Sequence, residues 1–261
     1  METVFRRAEV SDIPSMQQLW LTAFPDDPAD FVQRFFSIIP VKSAFVACKG
    51  EVLASLFLLD GTAMINGSTY PVRYLYAGCT HPEYRRQGLY GKLIEFAATQ
   101  AEADGAIAIY LHPASESLSG YYLHRGFRKG IGWYRKTNPG FNSLSVSTPV
   151  TSVSYQRIRA EYFPPNAGCW RLSTAAEQFF LEELVADGWQ PFACDAGCGV
   201  LSPDGSFVYD YLPQNGEYKV KECAGWFSDG RWENTALYFP LNGCPEISPD
   251  TRMYTAFLGD I

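Results

Sequence analysis

The spacing of apolar residues divides the first half of the chain into short strands and amphipathic helices. Leu89, Leu93, Phe96, Ala97 and Ala101 fall on one helical face, which predicts a helix over 86–104. Continuous apolar runs predict strands on either side of it, over 72–80 and 106–111. A strand–helix–strand unit of this kind is expected to place its two strands parallel in one sheet.

Turn residues separate the other apolar runs of this half. Further strands are predicted over 3–8, 43–48, 51–59 and 127–135, and further helices over 11–23, 30–39 and 115–126. Gly61 and the pair Asn66-Gly67 are predicted to lie between strands. Because Asn-Gly is a strong hairpin signal, the middle of this half is predicted to be an antiparallel meander.

A stretch rich in Ser, Thr, Pro, Asn and Gly follows residue 137 and predicts a domain boundary. The predicted domains are 1–137 and 151–261, joined by a linker over 138–150. Thr174 and Glu177 have the spacing of a capping box and predict a helix start. The second domain is otherwise rich in strands, predicted over 189–194, 197–201, 207–212, 218–224, 235–241 and 253–258.

Composition indicates a globular protein and argues against some classes of partner. The 261 residues are 47% apolar and 15% aromatic, which is ample for a core. A net charge of −7 argues against nucleic acid, which is bound through clustered Lys and Arg. No apolar run approaches the roughly 20 residues needed to cross a bilayer, and the N-terminus lacks the order of a secretory signal. We therefore predict a cytoplasmic protein with no membrane partner.

The cysteines predict neither disulfides nor a metal site. Seven cysteines are scattered over the chain, an odd number that argues against a disulfide framework. Cys194 and Cys198 have metal-like spacing, but no second Cys or His pair lies near them in the sequence. Buried structural cysteines are the expectation, with no bound metal.

The stretch from strand 72–80 into helix 86–104 has the chemistry of an anion site. A turn at His81-Pro82 leads into a basic loop containing Arg85, Arg86 and Gly88. Backbone N–H groups in the first turn of a helix have no intrahelical partner, and the helix dipole makes that end positive, so phosphates bind there. The alternative is an ordinary helix start.

Two motifs resemble the GNAT acyltransferases. Arg85-Arg-Gln-Gly88-Leu-Tyr90 is similar to the signature Arg/Gln-x-x-Gly-x-Gly/Ala, which binds the pyrophosphate of acetyl-CoA in that family. It departs from the signature at Tyr90, where a small residue is usual, and Gly91 comes one place late. Tyr122 precedes the pair Gly126-Phe127 by four and five residues, as does the family tyrosine that protonates the departing CoA thiolate. The alternative for Tyr122 is a packed aromatic residue.

The resemblance implies a fold and a set of site residues. It implies an α+β GNAT fold with a mixed, mainly antiparallel sheet, followed by a degenerate GNAT-like domain as in tandem proteins such as the enhanced intracellular survival family. It implies acetyl-CoA as co-substrate and Tyr122 as general acid. In that family the terminal carboxylate can reach the active site, so Ile261 is a candidate catalytic residue, with a solvated terminus as the alternative. The implied cofactor-binding residues are Cys79, Thr80, Arg85, Arg86, Gln87, Gly88, Leu89, Tyr90 and Gly91.

The function predicted from the sequence is transfer of an acetyl group from acetyl-CoA to a primary amine of a small molecule or peptide. Two alternatives stay open. One is a non-catalytic acyl-CoA-binding or partner-binding module, which is supported by Tyr90 standing where the signature has a small residue. The other is another acyl or aminoacyl transfer. Cys79 is either a nucleophile or a strand residue lining the CoA slot. The sequence assigns neither the general base nor the acceptor, and it also allows a homo-oligomer.

Overall fold

The fold is a mixed β-sheet with helices packed on it. The computed structural model describes residues 2–137, 150–162, 169–194, 197–204, 207–213, 222–225, 231–247 and 251–253. The strands are β1 (Val4–Arg7), β2 (Ala44–Cys48), β3 (Val52–Ile65), β4 (Ser68–Thr80), β5 (Ala108–Leu111), β6 (Arg128–Thr137), β7 (Cys169–Leu172), β8 (Gln190–Cys194), β9 (Gly197–Leu201), β10 (Phe207–Pro213), β11 (Glu222–Gly225), β12 (Arg231–Pro240) and β13 (Thr251–Met253). The helices are α1 (Ile13–Ala23), α2 (Ala29–Ile38), α3 (Leu89–Ala103), α4 (Glu116–Leu123), α5 (Ser152–Tyr162) and α6 (Thr174–Ala186).

One sheet holds strands from both halves of the chain. Its order is β1-β2-β3-β4-β5-β12-β6-β11-β10-β9-β8, with β7 paired to β3 and β13 paired to β6 and β7. Most of these pairings are antiparallel, whereas β4 and β5 are parallel with α3 between them in sequence. The predicted mixed, mainly antiparallel sheet and the strand–helix–strand unit are therefore confirmed.

Strand β12 belongs to the second half of the sequence but lies inside the sheet of the first half. It pairs antiparallel with β5, where Leu237 is opposite Leu111, and antiparallel with β6, where Tyr238 is opposite Arg128. The sheet thus continues across the predicted boundary at 137. The division into domains 1–137 and 151–261 stays a prediction, and residues 138–149 of the predicted linker lie outside the described residues.

Two apolar clusters pack on opposite faces of the sheet. Successive side chains of a strand point to opposite faces, and along β3 Phe57 belongs to one cluster while Leu58 belongs to the other. The first cluster joins α1 and α2 to α6 of the second half, with the rings of Phe35 and Phe179 5.6 Å apart. The second cluster contains the buried face of α3 and Tyr122 of α4.

Local signals were right at one turn of β3 and wrong inside the strand. Asn66 and Gly67 form the predicted hairpin, with φ of 51° and 77°. Gly61 does not separate strands, because β3 runs through it without interruption. A Cβ on Gly61 would lie 2.6 Å from the carbonyl oxygen of Arg171, so glycine is needed there to let β7 approach.

The predicted capping box of α6 is also wrong in detail. The N-cap is Ser173, whose Oγ accepts a hydrogen bond from the Ala176 amide at 3.4 Å. Glu177 is buried and forms an ion pair with Arg171 at 3.4 Å. The inward face of α6 includes Ala176, Phe180 and Leu184, which are buried. Two elements, α5 and β7, were not predicted.

No helix in the described part of the chain is long and apolar enough to cross a bilayer.

Candidate active site

A cleft opens where β4 and β5 separate. The two strands pair through Arg73 with Ile109 and Tyr74 with Tyr110, after which β5 ends at Leu111 and β4 continues to Thr80. A cavity of about 220 Å³ lies at this separation, and its walls include Trp20, Tyr76, Gly78, His112 and Tyr122. The end of α1 and the start of α4 thus close a gap that the parallel strands leave open.

A bulge in β4 forms one wall of this cavity. The register passes from Phe57 opposite Tyr76 to Ser55 opposite Cys79, so β4 carries one residue more than β3 over this interval. Ala77 has a φ of +48°, in the left-handed region. A bulge takes one residue out of the ladder and bends the strand. Because Ala77 and Gly78 both line the cavity, the bulge presents backbone groups to it.

Tyr122 brings a protonated hydroxyl to the same cavity. Helix α4 begins after Ser115, whose Oγ accepts a hydrogen bond from the Leu118 amide at 3.2 Å. Tyr122 lies in the second turn, is 7% exposed, and lines the cavity. Its hydroxyl is 3.0 Å from the hydroxyl of Tyr90. Burial raises the pKa of Tyr122 to about 12, so the group holds its proton at neutral pH.

The basic loop connects the end of β4 to α3. The guanidinium Nε of Arg85 donates to the carbonyl oxygen of Thr80 at 3.1 Å. The side-chain amide of Gln87 donates to the carbonyl oxygen of Glu83, also at 3.1 Å. Both bonds hold the loop against the preceding turn. Arg85, Arg86 and Gln87 are all exposed, so their polar groups face solvent where a charged ligand can reach them.

Backbone conformation explains the glycine of this loop. Gly88 has a φ of +76°, and Arg86 also lies in the left-handed region, at +62°. A Cβ on Gly88 would meet nothing within 4 Å, so the requirement is conformational and not one of space. Leu89 opens α3, and no side chain caps the helix at Gly88. The first-turn N–H groups of α3 are thus left for a ligand or water.

Gly91 admits an arginine that the sequence did not single out. A Cβ on Gly91 would lie 3.0 Å from Nε of Arg125. The Arg125 guanidinium also lies over the ring of Tyr121, 3.6 Å from its centroid. Glycine at this position therefore lets a third arginine approach the start of α3, beside the loop that carries Arg85 and Arg86.

Cys79 faces the core. Its Sγ is 3.3 Å from Oγ of Ser55, and the side chain is buried. Burial raises the pKa of the Cys79 thiol to about 11, and a protonated thiol is a poor nucleophile. The raised pKa therefore argues against Cys79 as a nucleophile, and a place for it along the CoA slot stays a prediction. Ile261, the other candidate catalytic residue besides Tyr122, lies outside the described residues.

Two cavity residues were missed in the sequence. Asp27 lies after α1, and its Oδ2 accepts a hydrogen bond from the indole N–H of Trp20 at 2.6 Å. His112 lies just beyond β5, and burial lowers its pKa to about 4, so it is neutral at pH 7. Neither belongs to a sequence motif. Within the described ranges, no three His, Cys, Asp or Glu side chains are grouped as a metal site.

Comparison with known protein families finds a match in the first half of the chain. Residues 4–130 match the family model described as an acetyltransferase (GNAT) domain. The matched range contains the cleft, the basic loop and Tyr122. No curated protein matches the sequence of the chain.

Solved structures share the fold over almost the whole chain. A GCN5-related N-acetyltransferase from Kribbella flavida is 15% identical with a TM-score of 0.64, covering 92% of this chain and 71% of its own. A GCN5-related N-acetyltransferase from Anabaena variabilis is 13% identical with a TM-score of 0.66, covering 91% and 72%. Eis1 from Mycobacterium abscessus is 12% identical with a TM-score of 0.65, covering 92% and 73%. The predicted resemblance to the enhanced intracellular survival family is thus confirmed for the fold.

Proposed function

We propose that this chain, whose residues 4–130 belong to the GNAT acetyltransferase family, moves an acetyl group from acetyl-CoA to a primary amine of a small molecule or peptide. The observation that carries the proposal is the protonated hydroxyl of Tyr122 on the wall of a cavity beside the β4 bulge. A thioester whose carbonyl faces the bulge would have its sulfur within reach of a proton donor. That combination suits acyl transfer.

The basic loop supports binding of the donor. The first-turn N–H groups of α3 and the exposed Arg85 and Arg86 offer both partial and full positive charge to a pyrophosphate. The gap between β4 and β5 leaves room for the pantetheine arm, and the bulge at Ala77 and Gly78 offers backbone groups to the thioester carbonyl. We assign the predicted cofactor-binding residues to this path, with Cys79 and Thr80 contributing through the strand backbone and Tyr90 through its backbone in the first turn of α3.

The far wall of the cavity supports an amine as the acceptor. Trp20 and Tyr76 lie 5.8 Å apart between ring centroids, and both face the cavity with Phe24. Aromatic faces attract cations. Asp27 adds a carboxylate that the Trp20 N–H holds in place. An ammonium group is the natural partner of this combination, so Asp27 and the aromatic rings would hold the acceptor beside the thioester.

The proposed reaction is acyl transfer to nitrogen, with Tyr122 supplying a proton to the leaving sulfur. The bound ammonium loses one proton to solvent, and the neutral nitrogen then attacks the carbonyl carbon, so a C–N bond forms and the C–S bond breaks. Tyr122 donates its proton to the departing thiolate. The surplus proton on nitrogen is released to solvent, from which Tyr122 regains its own.

Two measurements on one sample test the proposal. A ligand that binds only the native state stabilises it by about 2.7 kcal/mol at a hundredfold excess over Kd, so CoA should raise the melting temperature. Acetyl-CoA mixed with a panel of primary amines should then release free thiol in an amine-dependent way. No thermal shift at millimolar CoA would contradict donor binding. A shift without thiol release from any amine would instead favour the non-catalytic binding module.

A further inference from the structure

Tyr90 is the position at which the basic loop departs from the GNAT signature, and its side chain has a specific place. It comes from the first turn of α3 and reaches the bulge of β4. A Cβ on Gly78 would lie 1.8 Å from the Tyr90 hydroxyl oxygen, so the bulge accepts this ring only because residue 78 is glycine. The hydroxyl ends 3.0 Å from that of Tyr122.

We propose that Tyr90 is a positioning residue that acts through Tyr122: it donates a hydrogen bond to the Tyr122 oxygen, holds that oxygen at the cavity wall, and stabilises the phenolate formed when Tyr122 gives up its proton. The inference rests on the proposed acetyl transfer. It turns the departure from the family signature into a functional feature of this chain.

The geometry separates the two tyrosines by role. Tyr122 lines the cavity, whereas Tyr90 is not among the residues that line it. Tyr90 therefore contacts Tyr122 from outside the substrate space. The ring of Tyr121 stacks on that of Tyr90 at a centroid distance of 6.1 Å. With Gly78 on one side and Tyr121 on another, the Tyr90 hydroxyl has little freedom to leave its partner.

At 3.0 Å either hydroxyl could donate, and we assign Tyr90 as the donor because Tyr122 is the one of the two that lines the cavity. Burial raises the pKa of Tyr90 well above 10. The hydrogen bond from Tyr90 lowers the pKa of Tyr122, opposing the larger effect of burial. Of the two groups, Tyr122 is thus the one that loses its proton. When the C–S bond breaks, the Tyr122 proton passes to sulfur, Tyr90 keeps its own proton, and the phenolate is reprotonated from solvent.

A double-mutant cycle on the full chain tests this coupling. Tyr90→Phe removes only the hydroxyl and should lower kcat for acetyl transfer by roughly tenfold to a hundredfold, as expected for a hydrogen bond to a charged group. The KM for acetyl-CoA should not change. In a Tyr122→Phe background, Tyr90→Phe should not lower kcat further, because no phenolate forms at position 122 in that protein. Single-turnover thiol release measures all four proteins.

Tyr121→Phe is the matched control, since Tyr121 belongs to the same aromatic cluster and has no part in the hydroxyl pair. It should leave kcat unchanged. The melting temperature of each variant shows whether it is folded under the assay conditions, so that a loss of rate is not confused with a loss of folded protein. A Tyr90→Phe protein with wild-type kcat, or an equal fold-loss in both backgrounds, would overturn the inference. Absence of thiol release by the wild type would instead overturn the proposed function, and this inference with it.

Discussion

At the scale of single residues, the proposed acceptor site depends on the carboxylate of Asp27. It lies in the cavity at the end of α1, and its hydrogen bond from Trp20 fixes one of its oxygens. Within the described ranges no hydrogen bond to the other oxygen is found, so we assign it to an incoming group. A cationic amine gains a charge-assisted contact there, whereas the donor does not need it.

Asp27→Asn should therefore raise the KM of the amine by about tenfold, in keeping with about 1.5 kcal/mol for a hydrogen bond to a charged group. Asparagine retains an oxygen for the Trp20 N–H, so the fold is preserved. Steady-state kinetics with each substrate varied in turn make the measurement. Asp26→Asn, at the exposed neighbouring position, is the control and should change nothing. A rise in the KM of acetyl-CoA alone would show that Asp27 belongs to the donor side.

Asp12 has a structural role that the sequence did not predict. It stands at the N-cap position of α1 without capping the helix through its side chain. Its carboxylate instead forms a two-pronged pair with Arg6, at 2.6 and 2.9 Å, and accepts a hydrogen bond from the Glu9 amide at 2.7 Å. The hydrogen bond from Arg6 is the main cause that lowers the pKa of Asp12 below 3.8. The pair ties β1 to the turn before α1.

Asp12→Asn should lower the free energy of unfolding by about 1 kcal/mol at pH 7, a value reduced for the partial solvent exposure of Arg6. A lowered pKa means that the stabilisation is present above pH 3.8 and is lost as the pH falls through the pKa of the folded state. The difference between mutant and wild type should thus shrink below about pH 3.8. Urea unfolding at several pH values measures it, and a pH-independent difference would contradict the ionic account.

The residues that could be predicted from sequence are those whose role is fixed by near neighbours. Gly88 needs a left-handed backbone at a helix start, and Tyr122 has a fixed spacing to Gly126. Asp27 and Gly78 could not be predicted in the same way. Asp27 acquires its role only when α1 reaches the cavity, and Gly78 only when Tyr90 packs on the bulge.

At the scale of elements, the loop before α3 combines backbone and side-chain charge. Arg85 and Arg86 stand at its exposed edge, and the first turn of α3 lacks a side-chain cap. Phosphate groups can use both features, whereas an uncharged pantetheine arm can use neither. The loop is thus expected to discriminate between donors by their phosphates.

Changing Arg85 and Arg86 together to alanine should lower the affinity for CoA by at least tenfold, since each charge-assisted contact contributes about 1.5 kcal/mol or more. The affinity for acetyl-pantetheine without phosphates should hardly change. Isothermal titration measures both ligands. Lys49→Ala, which removes an exposed charge from the β2–β3 turn, is the control. Equal losses for both ligands would place the two arginines away from the phosphates.

Elements were predicted well where the signal is local and poorly where it depends on a distant strand. The hairpin at Asn66-Gly67 follows from the conformations that these two residues prefer. Gly61 looked like a similar signal, but its glycine serves the close approach of β7, more than 100 residues later in the sequence. The sequence alone does not show whether a glycine serves a turn or the close approach of another strand.

At the scale of the whole molecule, β12 joins the two halves into one sheet. It supplies the partner of both β5 and β6, which are themselves not paired to each other. The second half also contributes Phe180, whose ring lies 5.1 Å from that of Tyr76 in the cavity wall. The walls of the candidate cleft thus depend on residues from both halves.

A chain that ends at Thr137 should therefore lack a cooperative thermal transition and should not bind CoA, because β5 and β6 lose their common partner strand. A chain that ends at Ile247 keeps β12 and is the matched control. Thermal unfolding with and without CoA tests both. A stable, CoA-binding protein over residues 1–137 would contradict this account and would favour an independent first domain.

The order of strands in this sheet had no signal in the sequence. The apolar pattern of 235–241 predicted a strand, and β12 is found over Arg231–Pro240. Nothing in that pattern indicates that the strand lies between β5 and β6, since both neighbours are distant in sequence. Its position follows from packing over the whole molecule.

The most direct test of the central claim is the rate of thiol release by Tyr122→Phe relative to wild type, with CoA affinity measured on the same samples. If Tyr122 protonates the leaving thiolate, kcat should fall by about 10²- to 10⁴-fold while the CoA affinity stays unchanged. Loss of the hydrogen bond to Tyr90 should cost only about 1 kcal/mol of stability. An unchanged kcat in the folded mutant would remove Tyr122 from the mechanism.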